Sequence, residues 1–349
     1  MSATLQEIVT QPEAWQEAIE KTVGYPEALY PLLDGSRDYV VFTGCGSTYY
    51  LSLAAAALFQ ALTGRPARGV PGSELVLNGD TVLHDGRPLL VAVSRSGATA
   101  ETLRAVEAFR ERTQGPVIAI TTRGDRPLAS AADYAIVLEK GQEESVVQTR
   151  SFAAMYVATV GLALLAARRD DMVASLARLP HVGQRLIEEV HDRARAEGER
   201  PTTERFFFLG SGILYGLAAE ASLKMKEMSL SVSEPFHFLE FRHGPMSMVD
   251  ERTTLVGLLS RRNRGHEQAV LDEMADLGAR VFSLADEEAT VAFRSGLPEV
   301  LQGVLYLPPL QLMAYYRAVA RGLDPDHPRH LSAVVKALDP SAHSAEGRG

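Results

Sequence analysis

Cysteine and tryptophan are nearly absent from this 349-residue sequence, which contains one of each. A lone cysteine, Cys45, excludes an intramolecular disulfide and a zinc site built from thiolates. Positive charge is also scarce, because 35 Lys and Arg stand against 44 Asp and Glu, giving a formal net charge of −9. An acidic chain without a basic run is a poor binder of nucleic acid or of an anionic membrane.

Long hydrophobic runs are missing as well. The longest apolar stretch, around Met155–Ala167, is interrupted and too short to span a bilayer. Residues 1–21 lack the apolar run and cleavage site of a secretory signal. With a single cysteine, this favours a reducing, cytoplasmic location. The length and a 46% apolar content favour two globular domains.

An internal repeat divides the chain in two. Val41–Tyr49 and Phe207–Tyr215 are each an apolar run followed by G-x-G-x-x-Y, at an offset of 166 residues. Leu89–Ser94 falls on Leu255–Ser260 at the same offset, and a third pair follows with a two-residue slip. Such regular recurrence predicts two copies of one domain.

Each copy alternates short apolar runs with helical patterns, which predicts an α/β fold with parallel sheets. We expect two domains, each a sheet of about five strands flanked by helices in a flavodoxin-like three-layer sandwich. The expected strands are Tyr39–Gly44, Leu89–Ser94, Val117–Thr122, Tyr134–Leu138, Arg205–Gly210, Thr254–Ser260 and Val281–Ala285. The expected divisions are an N-terminal helical extension (1–35), a first domain (36–170), a helical linker (171–200), a second domain (201–335) and a tail (336–349).

Small hydroxyl residues and glycine follow the strands of the first copy. The loops are Gly44–Thr48, Ser94–Thr99 and Thr121–Asp125, at the strand ends where open parallel sheets bind ligands. A glycine and a helix N-terminus favour an anion such as phosphate, although such residues also serve simply as helix caps. In the second copy, Ser260–Gly265 lacks the S-G-x-T pattern, so we do not expect the same phosphate site there.

The sequence fits neither a dinucleotide-binding site nor a metal site. A dinucleotide fingerprint needs a third glycine, but Tyr49 and Tyr215 stand at that position, and no acidic residue follows at the right distance. His237 and His243 are irregularly spaced and have no evident companion ligand, so no metal site is predicted. We therefore expect no cofactor.

Three charged residues share one helix face in the second copy. Glu220, Lys224 and Glu227 are spaced i, i+4 and i+7. In isolation this pattern is typical of a solvated, salt-bridged face. Alanine, leucine and methionine surround it here, which predicts partial burial and a carboxylate able to act as a base.

These motifs resemble the tandem SIS (sugar isomerase) domain family. The family includes the isomerase half of glutamine–fructose-6-phosphate amidotransferase, glucosamine-6-phosphate deaminases and ketose/aldose phosphosugar isomerases. The resemblance covers nearly the whole chain. It is carried by Glu7-Ile8, Gln11-Pro12, Gly44–Thr48, Ser94–Thr99, Val146–Phe152, Leu223–Glu227, Arg242–Pro245 and Asp324–Leu331.

The resemblance implies roles for individual residues. Glu227 would move a proton between C1 and C2 of an open-chain sugar, and Lys224 would lie against the C1 and C2 oxygens. His243 would open the sugar ring, contributed by the other subunit of a homodimer. The implied phosphate ligands are Ser47, Thr48, Ser94, Arg95 (through its amide), Ser96 and Thr99. The implied sugar-pocket residues are Val146 and Gln148. Cys45, inside the first loop, and Lys336, three residues after Ala333, are further candidates for the pocket.

The chain departs from the family pattern at two functional positions. Ala98 replaces the usual glutamate of S-x-S-G-E-T, and Ala333 replaces the lysine that forms a Schiff base in the synthase. No glutaminase domain or N-terminal cysteine is found, so glutamine-dependent synthesis is not expected. We expect a phosphosugar isomerase or amino-sugar-phosphate deaminase, with a catalytically silent sugar-phosphate sensor and a deglycase of an amino-acid-linked sugar phosphate as alternatives.

Overall fold

The computed structural model describes residues 2–334. The first half forms one five-stranded parallel sheet in the order β2-β1-β3-β4-β5. Its strands are β1 (Tyr39–Gly44), β2 (Ala67–Pro71), β3 (Pro88–Ser94), β4 (Val117–Thr121) and β5 (Tyr134–Val137). Its helices are α1 (Ala3–Val23), α2 (Pro26–Leu33), α3 (Ser47–Thr63), α4 (Gly72–Leu77), α5 (Gly79–Val82), α6 (Ala100–Thr113), α7 (Pro127–Ala131) and α8 (Arg150–Ala166).

The second half repeats this plan with a sheet in the order β10-β9-β8-β6-β7, again parallel throughout. Its strands are β6 (Arg205–Leu209), β7 (Val232–Phe236), β8 (Thr253–Leu258), β9 (Arg280–Ala285) and β10 (Val291–Ala292). Its helices are α9 (Asp170–Leu176), α10 (Leu179–Gly198), α11 (Ile213–Ser229), α12 (Phe238–Phe241), α13 (Arg264–Asp276) and α14 (Leu307–Ala320). The predicted α/β fold with two parallel sheets of five strands is confirmed.

The backbone reproduces the 166-residue offset. Helices α3 and α11 each contain 17 residues and begin at positions related by that offset. Gly46 before α3 has φ 57° and ψ −123°, and Gly212 before α11 has φ 58° and ψ −122°. A positive φ is readily adopted only by glycine, so the first glycine-containing turn has one geometry in both halves.

Three strands were missing from the sequence-based assignment, namely β2, β7 and β10, and that part of the prediction was wrong. All three lie at sheet edges. β2 reads Ala-Arg-Gly-Val-Pro and is largely half-buried or exposed, while β10 has two residues. An edge strand can face solvent, and these three lack the apolar run by which strands are identified, whereas β5, also at an edge, has one and was predicted.

One hydrophobic core extends through both halves. Every residue of α8 from Ser151 to Leu165 is buried, as expected for a helix that is apolar all round. Helix α1 packs on α8 and α10, and α3 packs on α11. The Trp15 ring lies against Gly183, where an added Cβ would approach the ring to 2.1 Å. No helix within residues 2–334 is long and apolar enough to cross a membrane.

Candidate active site

Three hydroxyl groups meet where β3 leads into α6. Thr99 Oγ1 lies 3.2 Å from Ser94 Oγ and 3.3 Å from Ser96 Oγ. Between them Gly97 has φ 62°, and an added Cβ would approach the Arg126 Cβ to 2.8 Å. The cluster lies at the N-terminus of α6, where backbone N–H groups and the helix dipole favour an anion. Three of the predicted phosphate ligands, Ser94, Ser96 and Thr99, therefore lie together, and phosphate binding by them stays a prediction.

The other predicted phosphate ligands are arranged differently. The Thr48 hydroxyl accepts the Cys45 amide at 2.8 Å and donates to the Cys45 carbonyl at 3.0 Å, so it closes its own turn. Ser47 is buried and accepts a hydrogen bond from Lys224 Nζ at 3.0 Å. Its hydroxyl therefore links the first loop to helix α11 of the second half.

The charged face of α11 is buried against that loop. Lys224 and Glu220 are each 1% exposed, and Glu227 is 19% exposed. Lys224 Nζ lies 2.5 Å from Glu227 Oε2 and 3.2 Å from Glu220 Oε1. The solvated-face alternative is wrong, because α11 packs on α3. Of the three residues, only Glu227 reaches toward solvent, where a substrate could meet it.

Burial governs the charges of this trio. Desolvation raises the pKa of Glu220 to about 8, against the opposing effect of Lys224, while Glu227 adds to the increase. Burial disfavours the Lys224 ammonium, but the two neighbouring carboxyl groups outweigh it and raise the pKa of Lys224. The lysine therefore stays charged and anchors both Glu227 and Ser47.

Arg95 holds the rim of the site with its side chain. Its guanidinium donates to Glu143 Oε2 at 3.4 Å, the Ser145 carbonyl at 3.2 Å and the Ala333 carbonyl at 3.3 Å. Glu143 Oε1 in turn accepts the Thr149 amide at 2.7 Å. Arg95 thereby joins the phosphate loop to the segment after β5 and to the C-terminal segment.

Helix α1 supports the same segment. Glu7 is buried, and its carboxylate accepts the amides of Glu144 and Ser145 at 2.6 and 3.2 Å. Desolvation, followed by the nearby Glu143, raises the pKa of Glu7. Asp326 accepts the amide of Thr4 at 2.8 Å, and its carbonyl accepts the Val146 amide at 3.0 Å. The N-terminal and C-terminal motifs of the chain thus hold the loop that carries Val146.

The predicted sugar-pocket residues have mixed surroundings. Val146 and Gln148 are half-buried on that loop, and Gln148 Oε1 is a buried atom with no hydrogen-bond partner among the described residues. Cys45 Sγ lies 3.5 Å from Thr102 Oγ1, and burial raises the pKa of the thiol. Lys336 lies outside the described residues.

The two histidines of the segment after β7 occupy different settings. The His237 ring stacks on Tyr215 at 4.0 Å, and burial lowers its pKa. His243 is exposed in the turn after α12, where its backbone amide donates to the Glu240 carbonyl at 3.0 Å. No group of three or more His, Cys, Asp or Glu in that part of the chain is arranged to hold a metal ion.

The candidate site thus combines a hydroxyl cluster at the N-terminus of α6 with a charged trio on α11 that is joined through Lys224 to Ser47 of the Gly44–Thr48 loop. The SIS domain model matches residues 35–165 and 202–321. The chain belongs to the SIS domain family.

Relatives and solved structures agree with this assignment. Glutamine–fructose-6-phosphate aminotransferase of Methanothermobacter thermautotrophicus is 27% identical over 95% of this chain and 57% of its own length. The chain thus spans little more than half of the curated relatives that it matches. Glucosamine-6-phosphate deaminase of Thermotoga maritima is 28% identical, with a TM-score of 0.80 over 96% of this chain and 99% of that one. Tagatose-6-phosphate ketose/aldose isomerase of Escherichia coli is 25% identical, with a TM-score of 0.84 over 95% and 96% of the two chains.

Sequence reasoning missed the supporting residues of the site. Glu143 and Glu7 were not singled out for a function, yet both order the loop from 142 to 149. Each is one acidic residue among many, and only the fold shows that it is buried. The bond between Lys224 and Ser47 joins positions 177 residues apart, and its one sequence signal was the apolar setting of the helix.

Proposed function

We propose that this chain is a phosphosugar isomerase or deaminase that acts on glucosamine 6-phosphate, or on a closely related hexose phosphate. The observation that carries the proposal is the position of Glu227. Glu227 is the partly exposed member of a buried trio of charged residues. Lys224, which contacts it, also bonds to Ser47 of the Gly44–Thr48 loop. A base held against the loop that binds substrate is what an aldose–ketose shift requires.

The reaction follows from these groups. The hydroxyls of Ser94, Ser96 and Thr99 bind the phosphate, whose binding energy orients the reacting end. Glu227 takes the proton from C2 of the open-chain amino aldose and returns it to C1, through an enolamine. The product is an imine at C2, and water hydrolyses it to the ketose phosphate and ammonia. With a hexose phosphate that carries oxygen at C2, the same proton transfer gives isomerisation through an enediol.

Lys224 is assigned a positioning role in this scheme. It was expected against the C1 and C2 oxygens, but its ammonium is buried and bonded to Glu227 and Ser47. Through these bonds it fixes the base relative to the phosphate loop.

The test is release of ammonia and fructose 6-phosphate from glucosamine 6-phosphate. Replacing a general base lowers turnover by roughly 10²- to 10⁴-fold, so Glu227→Gln is expected to lose most activity while still binding the sugar phosphate. Glu111→Gln, the same change on the exposed surface of α6, serves as the control. Substrate binding by calorimetry separates a lost base from a lost fold.

A second candidate is a catalytically silent sensor of sugar phosphates. The specific observation in its favour is Ala333, whose carbonyl accepts Arg95 where the resembled synthase has a reactive lysine. A sensor would be thermally stabilised by hexose phosphates without converting them. A deglycase is a third candidate, because Ala98 and Ala333 both line a cavity of about 540 Å³ next to Ser96 that could admit a larger substituent.

Assembly and location complete the proposal. We propose a homodimer in which His243, exposed in this chain, completes the site of the other subunit and opens the sugar ring. Ultracentrifugation, and activity restored by mixing Glu227→Gln with His243→Ala protein, would test that arrangement. A cytoplasmic location fits the single cysteine and the expected substrate.

A further inference from the structure

A cavity of about 590 Å³ lies at the carboxyl end of the second sheet. Its walls come from the loops after β6 and β8, from the segment before α14 and from α3 of the first half. The lining residues used below are Ser260, Ile213, Arg262, Glu299, Val300 and Ala61.

The repeat makes this cavity the counterpart of the proposed active site. At the offset of 166, Ile213 corresponds to Ser47 and Arg262 to Ser96. In the facing helix, Ala61 of α3 corresponds to the base Glu227 of α11. The second cavity therefore lies at the matching place in the repeat but lacks the base, and of the three hydroxyl residues only the counterpart of Ser94, Ser260, is retained.

Two charged side chains line the cavity, and one of them, Arg262, stands where the first copy has the hydroxyl of Ser96. Arg262 is exposed and forms no ion pair with any residue from 2 to 334. Glu299 lines the same cavity from the segment before α14, and its Oε1 accepts the Arg261 amide at 2.6 Å. The Ser260 hydroxyl donates to Glu267 Oε1 at 3.0 Å, so its proton is already used in a bond within the second half. The cavity thus presents one guanidinium and one carboxylate beside the apolar side chains of Ile213 and Val300.

This charge pattern selects a ligand. A simple anion would be attracted by Arg262 and repelled by Glu299, and a simple cation would meet the reverse. A molecule with an anionic group and an ammonium group satisfies both, and charge-assisted hydrogen bonds to each end are strong. We propose that the cavity is a second, non-catalytic binding site for a small zwitterionic molecule. Amino-sugar phosphates and α-amino acids both have this chemistry.

The site can be followed through the Ile213 methyl group by NMR, with the signal assigned by Ile213→Val. The probes are glucosamine 6-phosphate and L-leucine, which separate the two sources of a zwitterion, and fructose 6-phosphate is the anionic control. We expect a saturable shift with at least one zwitterion. Arg262→Gln and Glu299→Gln should each weaken it at least tenfold, with fructose 6-phosphate giving no comparable shift.

The substitutions also exclude an indirect effect. Arg262→Gln leaves Ser96 and Glu227 intact, so a shift transmitted from the first site would persist in that variant and would contradict the proposal. No shift with either zwitterion at 10 mM, or an equal response to fructose 6-phosphate, would overturn it. Unchanged melting temperatures of the two variants would establish that they fold. L-Leucine is not a substrate of the proposed reaction, and the glucosamine 6-phosphate titration is repeated with Glu227→Gln protein, so the outcome is independent of the proposed enzymatic function.

Discussion

The two halves of this protein place different chemistry on the same backbone. Helices α3 and α11 match in length, in position within their copies and in the dihedral angles of the glycine that precedes each. Yet α11 carries Glu220, Lys224 and Glu227 where α3 carries Ala54, Leu58 and Ala61. The shared geometry comes from the glycine turn and the sheet, whereas catalytic potential depends on a few side chains pointing at the opposite copy.

The difference between the two helices can be tested by giving α11 the apolar residue that α3 has at the matching position, which is Leu58. Lys224→Leu would leave the Glu227 carboxylate without its buried counter-ion, and breaking such a pair costs about 3–5 kcal/mol of the free energy of unfolding. Urea unfolding measures the loss.

The matched variant completes the transplant. Changing Glu220 and Glu227 to Ala together with Lys224→Leu reproduces the residues of α3 and should recover most of the lost stability, because replacing a whole buried ionic group by apolar residues is often neutral. A triple variant as unstable as the single one would show that this trio does not set the local stability.

A pH series sharpens the difference between the helices. The pKa of Glu220 is raised to about 8 in the folded chain, so its contribution to stability is complete below its ordinary value of 4.5 and is lost as the pH rises through 8. The free energy of unfolding should fall by up to about 1.4 kcal/mol per pH unit in that window. Glu220→Gln should flatten this fall, and identical slopes in both proteins would contradict the assignment.

The hydroxyl cluster after β3, which the second half lacks, can be tested through substrate affinity. Ser96→Ala removes one hydroxyl from the cluster with Ser94 and Thr99. A hydrogen bond to a charged group contributes about 1.5–3 kcal/mol, so KM for a hexose phosphate should rise roughly 10- to 100-fold. Ser130→Ala, on exposed helix α7, is the control in steady-state assays. An unchanged KM for Ser96→Ala would place the phosphate elsewhere.

The repeat, the central strands and the Ser94–Thr99 loop could be predicted because each leaves a local pattern in the sequence. The edge strands β2, β7 and β10 could not, since one side of each is unpaired and no apolar run marks it. The spacing of Glu220, Lys224 and Glu227 indicated a common face. Lys224 points toward Ser47 and away from solvent because α11 packs across α3. No local sequence pattern indicates that packing.

Glu227 is proposed to be a base set against a phosphate loop, and one assay decides between this role and the alternatives. Ammonia and fructose 6-phosphate should be released together from glucosamine 6-phosphate by the wild-type chain. Glu227→Gln should bind the substrate and release almost none. Undiminished release by Glu227→Gln would contradict the account. Stabilisation of the wild-type chain by glucosamine 6-phosphate without turnover would move the assignment to another sugar phosphate or to a sensor.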